Sequence, residues 1–119
     1  MPVQWKAICN VADIPVLGAR VVRRNVQPDI AIFRNSTDGV FALLDRCPHK
    51  GGPLSQGIVF GDRVACPLHN WNIDLRSGCA DAPDEGCAHR FNLKIEGGQV
   101  YLDLAEVNAT AEANKSTVA

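Results

Sequence analysis

Two short stretches carry the residues best suited to chemistry: "CPHKGG", beginning at Cys47, and "CPLHNW", beginning at Cys66. Each holds one thiol and one imidazole, as Cys47-x-His49 and Cys66-x-x-His69, with sixteen residues between the pairs. Thiolate and imidazole together suit zinc, copper and iron–sulfur centres. Structural zinc accepts Cys₂His₂, but it usually draws two adjacent cysteines and two adjacent histidines. Here each pair is mixed, and Cys-x-His is too tight for the usual zinc knuckle. Four such ligands would also close a tetrahedral ion and leave no open catalytic position. A zinc-stabilised binding module therefore stands as the alternative from a different functional class.

A [2Fe–2S] cluster uses the same four groups differently. Its two irons need two protein ligands each, and two loops that each give one cysteine and one histidine can clamp it from opposite sides. Replacement of Cys₂ by His₂ on one iron defines a Rieske centre. The flanking residues agree. Gly51, Gly52 and Gly57 let the backbone come close to inorganic sulfur, where freed N–H groups can donate to it. Pro48 and Pro67 directly follow the two cysteines and stiffen each loop through their fixed φ.

These loops need strands to hold them, and the rest of the chain supplies strand patterns. "RFNLKIE" and "QVYLDL" alternate polar and apolar residues on either side of Gly97-Gly98, a strong hairpin signal, with Phe91, Leu93, Ile95, Val100, Leu102 and Leu104 forming one apolar face. "DIAIFRN" (29–35) and "VFALLD" (40–45) predict a second hairpin, and "GIVF" (57–60) with "RVAC" (63–66) a third. "QWKAICN" and "ARVVRR" add two further strands. Each Cys/His pair then sits on a loop leaving a strand, so the two loops can meet at one tip. No segment before residue 104 keeps a helical period. The expected class is all-β, built of antiparallel sheet. Residues 106–119, "EVNATAEANKSTVA", lack an apolar stripe and are expected to form a flexible tail after a domain spanning 1–105.

Bulk properties exclude several classes. The chain has 119 residues, a formal charge of −1 and 46% hydrophobic content, as expected of one ordinary globular domain. It carries no basic stripe for nucleic acid, no apolar run of membrane-spanning length and no apolar leader near the N-terminus. The expectation is a cytoplasmic protein without nucleic-acid or membrane partners. Its five cysteines, an odd number, argue against a complete disulfide framework there. There is no Gly-rich dinucleotide fingerprint, hence no nicotinamide site, and no catalytic residue of its own is expected.

From about Leu43 to Leu104 the sequence resembles Rieske-type iron–sulfur proteins. More narrowly, "CPHKGGPLSQGIV", "CPLHNWNIDLRSG", "APDEGC" and the opening "W…IC…DIP" are similar to the small subunit of assimilatory NAD(P)H-dependent nitrite reductase. The resemblance implies a Rieske fold of stacked antiparallel sheets with a small cluster-binding subdomain at about 46–87. It implies one [2Fe–2S] cluster, with Cys47 and Cys66 on one iron and His49 and His69 on the other. It also implies an electron-transfer role beside a large flavin- and sirohaem-containing subunit that reduces nitrite to ammonium, with catalysis belonging to the complex. The nearest alternative is the Rieske ferredoxin of an aromatic-ring dioxygenase system. High-potential Rieske proteins add a disulfide between the ligand loops and hydroxyl donors near the second. The matching positions here are Gly52, Leu68, Trp71 and Ile73, so those features are missing.

The remaining candidates read more simply. Cys79 and Cys87 bracket "ADAPDEG" and are expected to be small half-buried thiols, as is Cys9, with a redox disulfide or an extra metal site as the alternative for the Cys79/Cys87 pair. "APDEG" resembles the proline loop that covers the cluster in Rieske proteins, with Pro83 as its contact. Asp81, Asp84 and Glu85 beside it could form an acidic docking rim, although such runs are usually solvated loops. His89 reads as a surface histidine, and Trp71 as packing beneath the second ligand loop.

Overall fold

The computed structural model describes residues 4–24, 28–48, 51–68 and 70–107. Its strands are β1 (Trp5–Asn10), β2 (Gly18–Val22), β3 (Ile30–Arg34), β4 (Val40–Leu44), β5 (Ile58–Phe60), β6 (Arg63–Ala65), β7 (Asn72–Asp74), β8 (Leu93–Glu96) and β9 (Gln99–Asp103), followed by one helical turn, α1 (Leu104–Val107). They form three antiparallel sheets of three strands, ordered β1-β9-β8, β2-β3-β4 and β5-β6-β7. The fold is all-β, with the three expected hairpins and both additional strands in place.

Strand β3 explains how the sheets stack. A strand with one solvated face alternates apolar and polar residues, but Ile30, Ala31, Ile32 and Phe33 are all fully buried. Alternate side chains point to opposite faces. Ala31 and Phe33 join one core with Leu43, Leu54, Val59, Val64, Ile73 and Leu75, under sheet β5-β6-β7. Ile30 and Ile32 join the other with Ala42, Leu44, Phe91, Val100 and Leu102, against sheet β1-β9-β8. Sheet β2-β3-β4 is thus a middle layer between two cores, and the continuous apolar run is the sequence trace of that position.

Polar side chains tie the layers together at one end. Asn35, buried after β3, accepts at Oδ1 from Thr37 N (3.0 Å), Gly39 N (2.7 Å) and Thr37 Oγ1 (3.1 Å), which closes the β3–β4 turn. Its Nδ2 donates to Asp62 Oδ1 at 2.8 Å, across to the β5–β6 turn, and Asp62 in turn pairs with Arg76.

Three expectations are corrected. Ile95 is 44% exposed because β8 is the edge strand of its sheet, whereas Val100, its partner on the central strand β9, is fully buried. The segment expected to be flexible from 106 begins with two docked residues. Val107 is buried, and Glu106 accepts from Asn92 N at 2.7 Å. Residues 108–119 of that expected tail lie outside the described residues. His89 is half-buried rather than fully exposed: its ring meets Phe91 edge-on at 4.6 Å, and Nε2 lies 3.6 Å from Glu106 Oε2. Among the described residues, no helix is long and apolar enough to cross a membrane.

Candidate metal centre

The chain leaves the middle layer after Leu44 and returns at Leu43↔Arg90, where an isolated antiparallel bridge and the Leu44 N to His89 O hydrogen bond (2.8 Å) close the excursion. Everything between belongs to the β5-β6-β7 lobe and its loops. The first turn begins under a firm constraint. Asp45 accepts from Ser55 N and Ser55 Oγ, each at 2.7 Å, one per carboxylate oxygen. That fork holds the 3₁₀ turn Leu54–Gln56 against the chain entering Cys47, with Leu54 fully buried beneath.

The two cysteine turns share one backbone design. In the first, Cys47 N donates to Gly52 O (2.7 Å) and Gly51 N to Cys47 O (2.8 Å). In the second, Cys66 N donates to Trp71 O (2.8 Å) and Asn70 N to Cys66 O (2.9 Å). The residue four positions after each cysteine adopts positive φ, 74° at Gly51 and 57° at Asn70. Glycine takes that conformation freely, and asparagine is among the few side chains that tolerate it. The loops are therefore equivalent turns, each with a cysteine at its start and a proline next, although their histidines differ in spacing by one residue.

Both thiols are buried, Cys47 at 2% and Cys66 at 1% exposure, and both belong to the core under β5-β6-β7. Trp71 packs on the same core, as expected for a residue supporting the second turn. His49 and His69 lie outside the described residues. Among the described residues no three of His, Cys, Asp and Glu gather around one point. The room beside the sulfurs is set by Gly52. A Cβ there would lie 3.5 Å from Cys66 Sγ and 2.7 Å from Leu68 Cδ1. The same contact shows that Gly52 and Leu68 face each other across the tip with no sulfur to join them. Two buried thiols at equivalent positions of paired turns, with glycine keeping space open between the turns, fit an iron–sulfur cluster.

The profile of the Rieske [2Fe–2S] domain matches residues 4–101. The chain belongs to the Rieske [2Fe–2S] family. It holds one [2Fe–2S] cluster and serves as an electron carrier in an oxidoreductase system. The 3-phenylpropionate/cinnamic acid dioxygenase ferredoxin subunit of Escherichia coli K12 is 34% identical over 102 residues, covering 82% of this chain and 92% of that one. A ferredoxin of Sphingomonas yanoikuyae B1 superimposes with a TM-score of 0.74 at 26% identity, over 84% of this chain and 98% of the other. A structure assigned as the small subunit of NADPH nitrite reductase superimposes at 0.72 and 26%, over 83% and 97%.

A third segment of this Rieske protein meets the cysteine turns. Residues 80–86 leave β7 through an Ile73↔Ala80 bridge, with Asp81 N donating to Asn72 O at 2.9 Å. The segment contains a cis Ala82–Pro83 bond and reaches the first turn, where a Cβ on Gly86 would lie 3.0 Å from Pro48 Cβ. Of the three acids considered for a docking rim, Asp81 is committed elsewhere. It takes Arg63 Nε at 2.6 Å, and that bond together with the carboxylate's charge raises the Arg63 pKa. Glu85 remains exposed.

The structure overturns one cysteine expectation. Cys79 and Cys87 are not separate thiols but a disulfide, and Cys9, Cys47 and Cys66 lie outside it. The two residues pair directly across an antiparallel bridge with Cα atoms 3.9 Å apart. The expectation rested on compartment and on the odd cysteine count. Neither signal reveals that the short 80–86 loop doubles back. Cys9 is a free thiol as expected, and it is buried.

Proposed function

We propose that this chain is the electron-transfer small subunit of an NAD(P)H-dependent nitrite reductase, with Cys47, His49, Cys66 and His69 as the cluster ligands. The observation that carries the ligand assignment is the pair of equivalent turns, each presenting a buried cysteine at one tip. The cluster, when bound, supplies transfer of one electron at a time. The chain's own residues hold the sulfurs in place through Asp45, Leu54 and Trp71, and exclude water from Cys47 and Cys66. Catalysis then belongs to a large flavin- and sirohaem-containing partner. Support for this system comes from the "CPLHNWNIDLRSG" and "APDEGC" segments and from the likeness to the nitrite reductase small subunit structure.

A second reading is favoured by the 34% identical relative: a ferredoxin that supplies a ring-hydroxylating dioxygenase. Deleting the gene separates the two. Under the first reading the strain grows poorly on nitrite as sole nitrogen source and normally on ammonium, and affinity capture of the chain brings down a sirohaem-containing subunit. Normal growth on nitrite with failure on an aromatic carbon source would overturn the first reading in favour of the second.

A further inference from the structure

The Cys79–Cys87 disulfide is used by neither reading, and its location sets it apart from the other cysteines. Cys9, Cys47 and Cys66 are buried, whereas Cys87 is exposed and Cys79 half-buried. A thiol reagent in solution can therefore reach this pair selectively. The bond closes the base of the 80–86 segment, and Gly86, the residue before Cys87, lies against Pro48, next to Cys47.

Other anchors of that segment are modest. Among the described residues they are the Ala80 N to Gly86 O and Asp81 N to Asn72 O hydrogen bonds, the Asp84 N to Asp81 O turn, and the partly exposed Arg63–Asp81 pair. Ala80 packs partly buried against the core under β5-β6-β7, and no side chain from Asp81 to Gly86 joins either core. Such an ion pair contributes little in solvent. The covalent link is thus the main restraint holding the segment over the first cysteine turn.

We infer that Cys79–Cys87 is a thiol–disulfide exchange site through which a dithiol reductant loosens the 80–86 segment over the cluster. In the reaction, one thiolate of the dithiol attacks Cys87 Sγ and the Cys79–Cys87 bond breaks. Cys79 leaves as thiolate and takes up a proton. The carbonyl oxygen of Ser77, 3.8 Å from Cys79 Sγ, can then accept from the new thiol. The second thiol of the reductant displaces Cys87 from the mixed disulfide. Two electrons and two protons pass in total, the dithiol becoming a disulfide and the protein gaining two thiols. With the base open, the amides of Ala80, Asp81 and Ala88 lose protection, and the turn at Cys47 becomes more accessible to water and chelators.

The test uses the cluster-loaded chain under anaerobic conditions, with dithiothreitol as the dithiol. Brief reduction followed by alkylation without denaturant should label Cys79 and Cys87 and leave Cys9, Cys47 and Cys66 unlabelled. Hydrogen exchange in residues 79–88 should accelerate at least tenfold, with no change in Ile30–Arg34. Loss of cluster absorbance to an iron chelator should accelerate several-fold. A Cys79→Ser/Cys87→Ser double variant should reproduce the reduced state; if it does not fold, the wild-type reduction series decides alone. Two results would overturn the inference. One is labelling of the pair only after denaturation. The other is reduction that leaves exchange in 79–88 within twofold of the oxidised protein. Neither result depends on which reductase or oxygenase the chain serves.

Discussion

Replacing Gly57 with alanine probes how closely the lobe under the cysteine turns is packed. Gly57 has φ −82° and ψ −179°, a conformation open to any residue, so glycine is there for room. A Cβ built on it lands inside contact distance of the Ala65 carbonyl oxygen and 3.0 Å from Val64 Cγ2. The obstructing atom is backbone, in a strand fixed on both sides by β5 and β7, and it cannot rotate away. Relief requires β5 and β6 to separate by roughly 1 Å, and overpacking of this kind costs about 1–3 kcal/mol. In a domain of this length that lowers the melting temperature by roughly 4–12 °C. Since Ala65 immediately precedes Cys66, cluster loss should accelerate in the same variant. Two controls isolate the cause. Gly61→Ala meets nothing within 4 Å but keeps φ at +53°, and should cost about 1 kcal/mol from conformation alone. Gly52→Ala meets Cδ1 and Cγ of the half-exposed Leu68 side chain, which can turn aside, and Cys66 Sγ only at an ordinary 3.5 Å, so it should cost less still. Thermal unfolding followed by circular dichroism, with visible absorbance for the cluster, reads all three. A Gly57→Ala variant melting within 2 °C of wild type, or a more damaging Gly52→Ala, would refute the reasoning.

Cys47→Ser and His69→Ala should each abolish the visible spectrum, while Cys9→Ser keeps it; iron and labile sulfide analysis checks this, and stoichiometric zinc without sulfide would defeat the ligand assignment. Asn35→Ala removes four hydrogen bonds from the β3–β4 turn and its link to Asp62, and should cost roughly 2–3 kcal/mol in denaturant titration. Burial raises the Cys9 pKa, assisted by Asp13 and opposed by Arg20. The folded thiol therefore holds its proton longer than the unfolded one, so its contribution is complete below about pH 8.5 and is lost as pH rises toward the folded value. Unfolding free energies measured from pH 7 to 10 should fall less steeply in Cys9→Ala; identical slopes would contradict the assignment. The midpoint potential should lie in the lower part of the Rieske range of roughly −150 to +300 mV, because no disulfide joins positions 52 and 68 and no hydroxyl stands at 71 or 73. Protein-film voltammetry giving a value near the top of that range would sink this argument.

Hairpins were legible because their signals are local. The Gly97-Gly98 link and the alternation around it depend only on neighbours in sequence, and β8 and β9 lie where those signals put them. The Rieske family was legible for a different reason: a metal centre restricts residue type more sharply than packing does. Strand β7 was not anticipated, since "NID" is too short to show a period and is a strand only because β6 lies beside it. The disulfide escaped for the same reason, being a fact about two chain segments meeting. The equivalence of the two cysteine turns also lay hidden, because Gly51 and Asn70 share a backbone conformation but no chemical likeness.

The way the chain enters and leaves the lobe has an architectural consequence. Departure after Leu44 and return at His89–Arg90 occur side by side, at the spacing of neighbouring strands. An excursion whose ends nearly touch can be spliced into any scaffold that offers two adjacent antiparallel strands. Its core is not self-contained, however, since Ala31, Phe33 and Leu43 of the middle layer complete it. The smallest transplantable cassette is therefore β2-β3-β4 with everything from Asp45 to His89. The β1-β9-β8 sheet, pairing the first described strand with the last, is an underside whose task is to cover Ile30, Ile32, Ala42 and Leu44 of the middle layer. A different protein body could replace that underside while the cysteine turns keep their geometry.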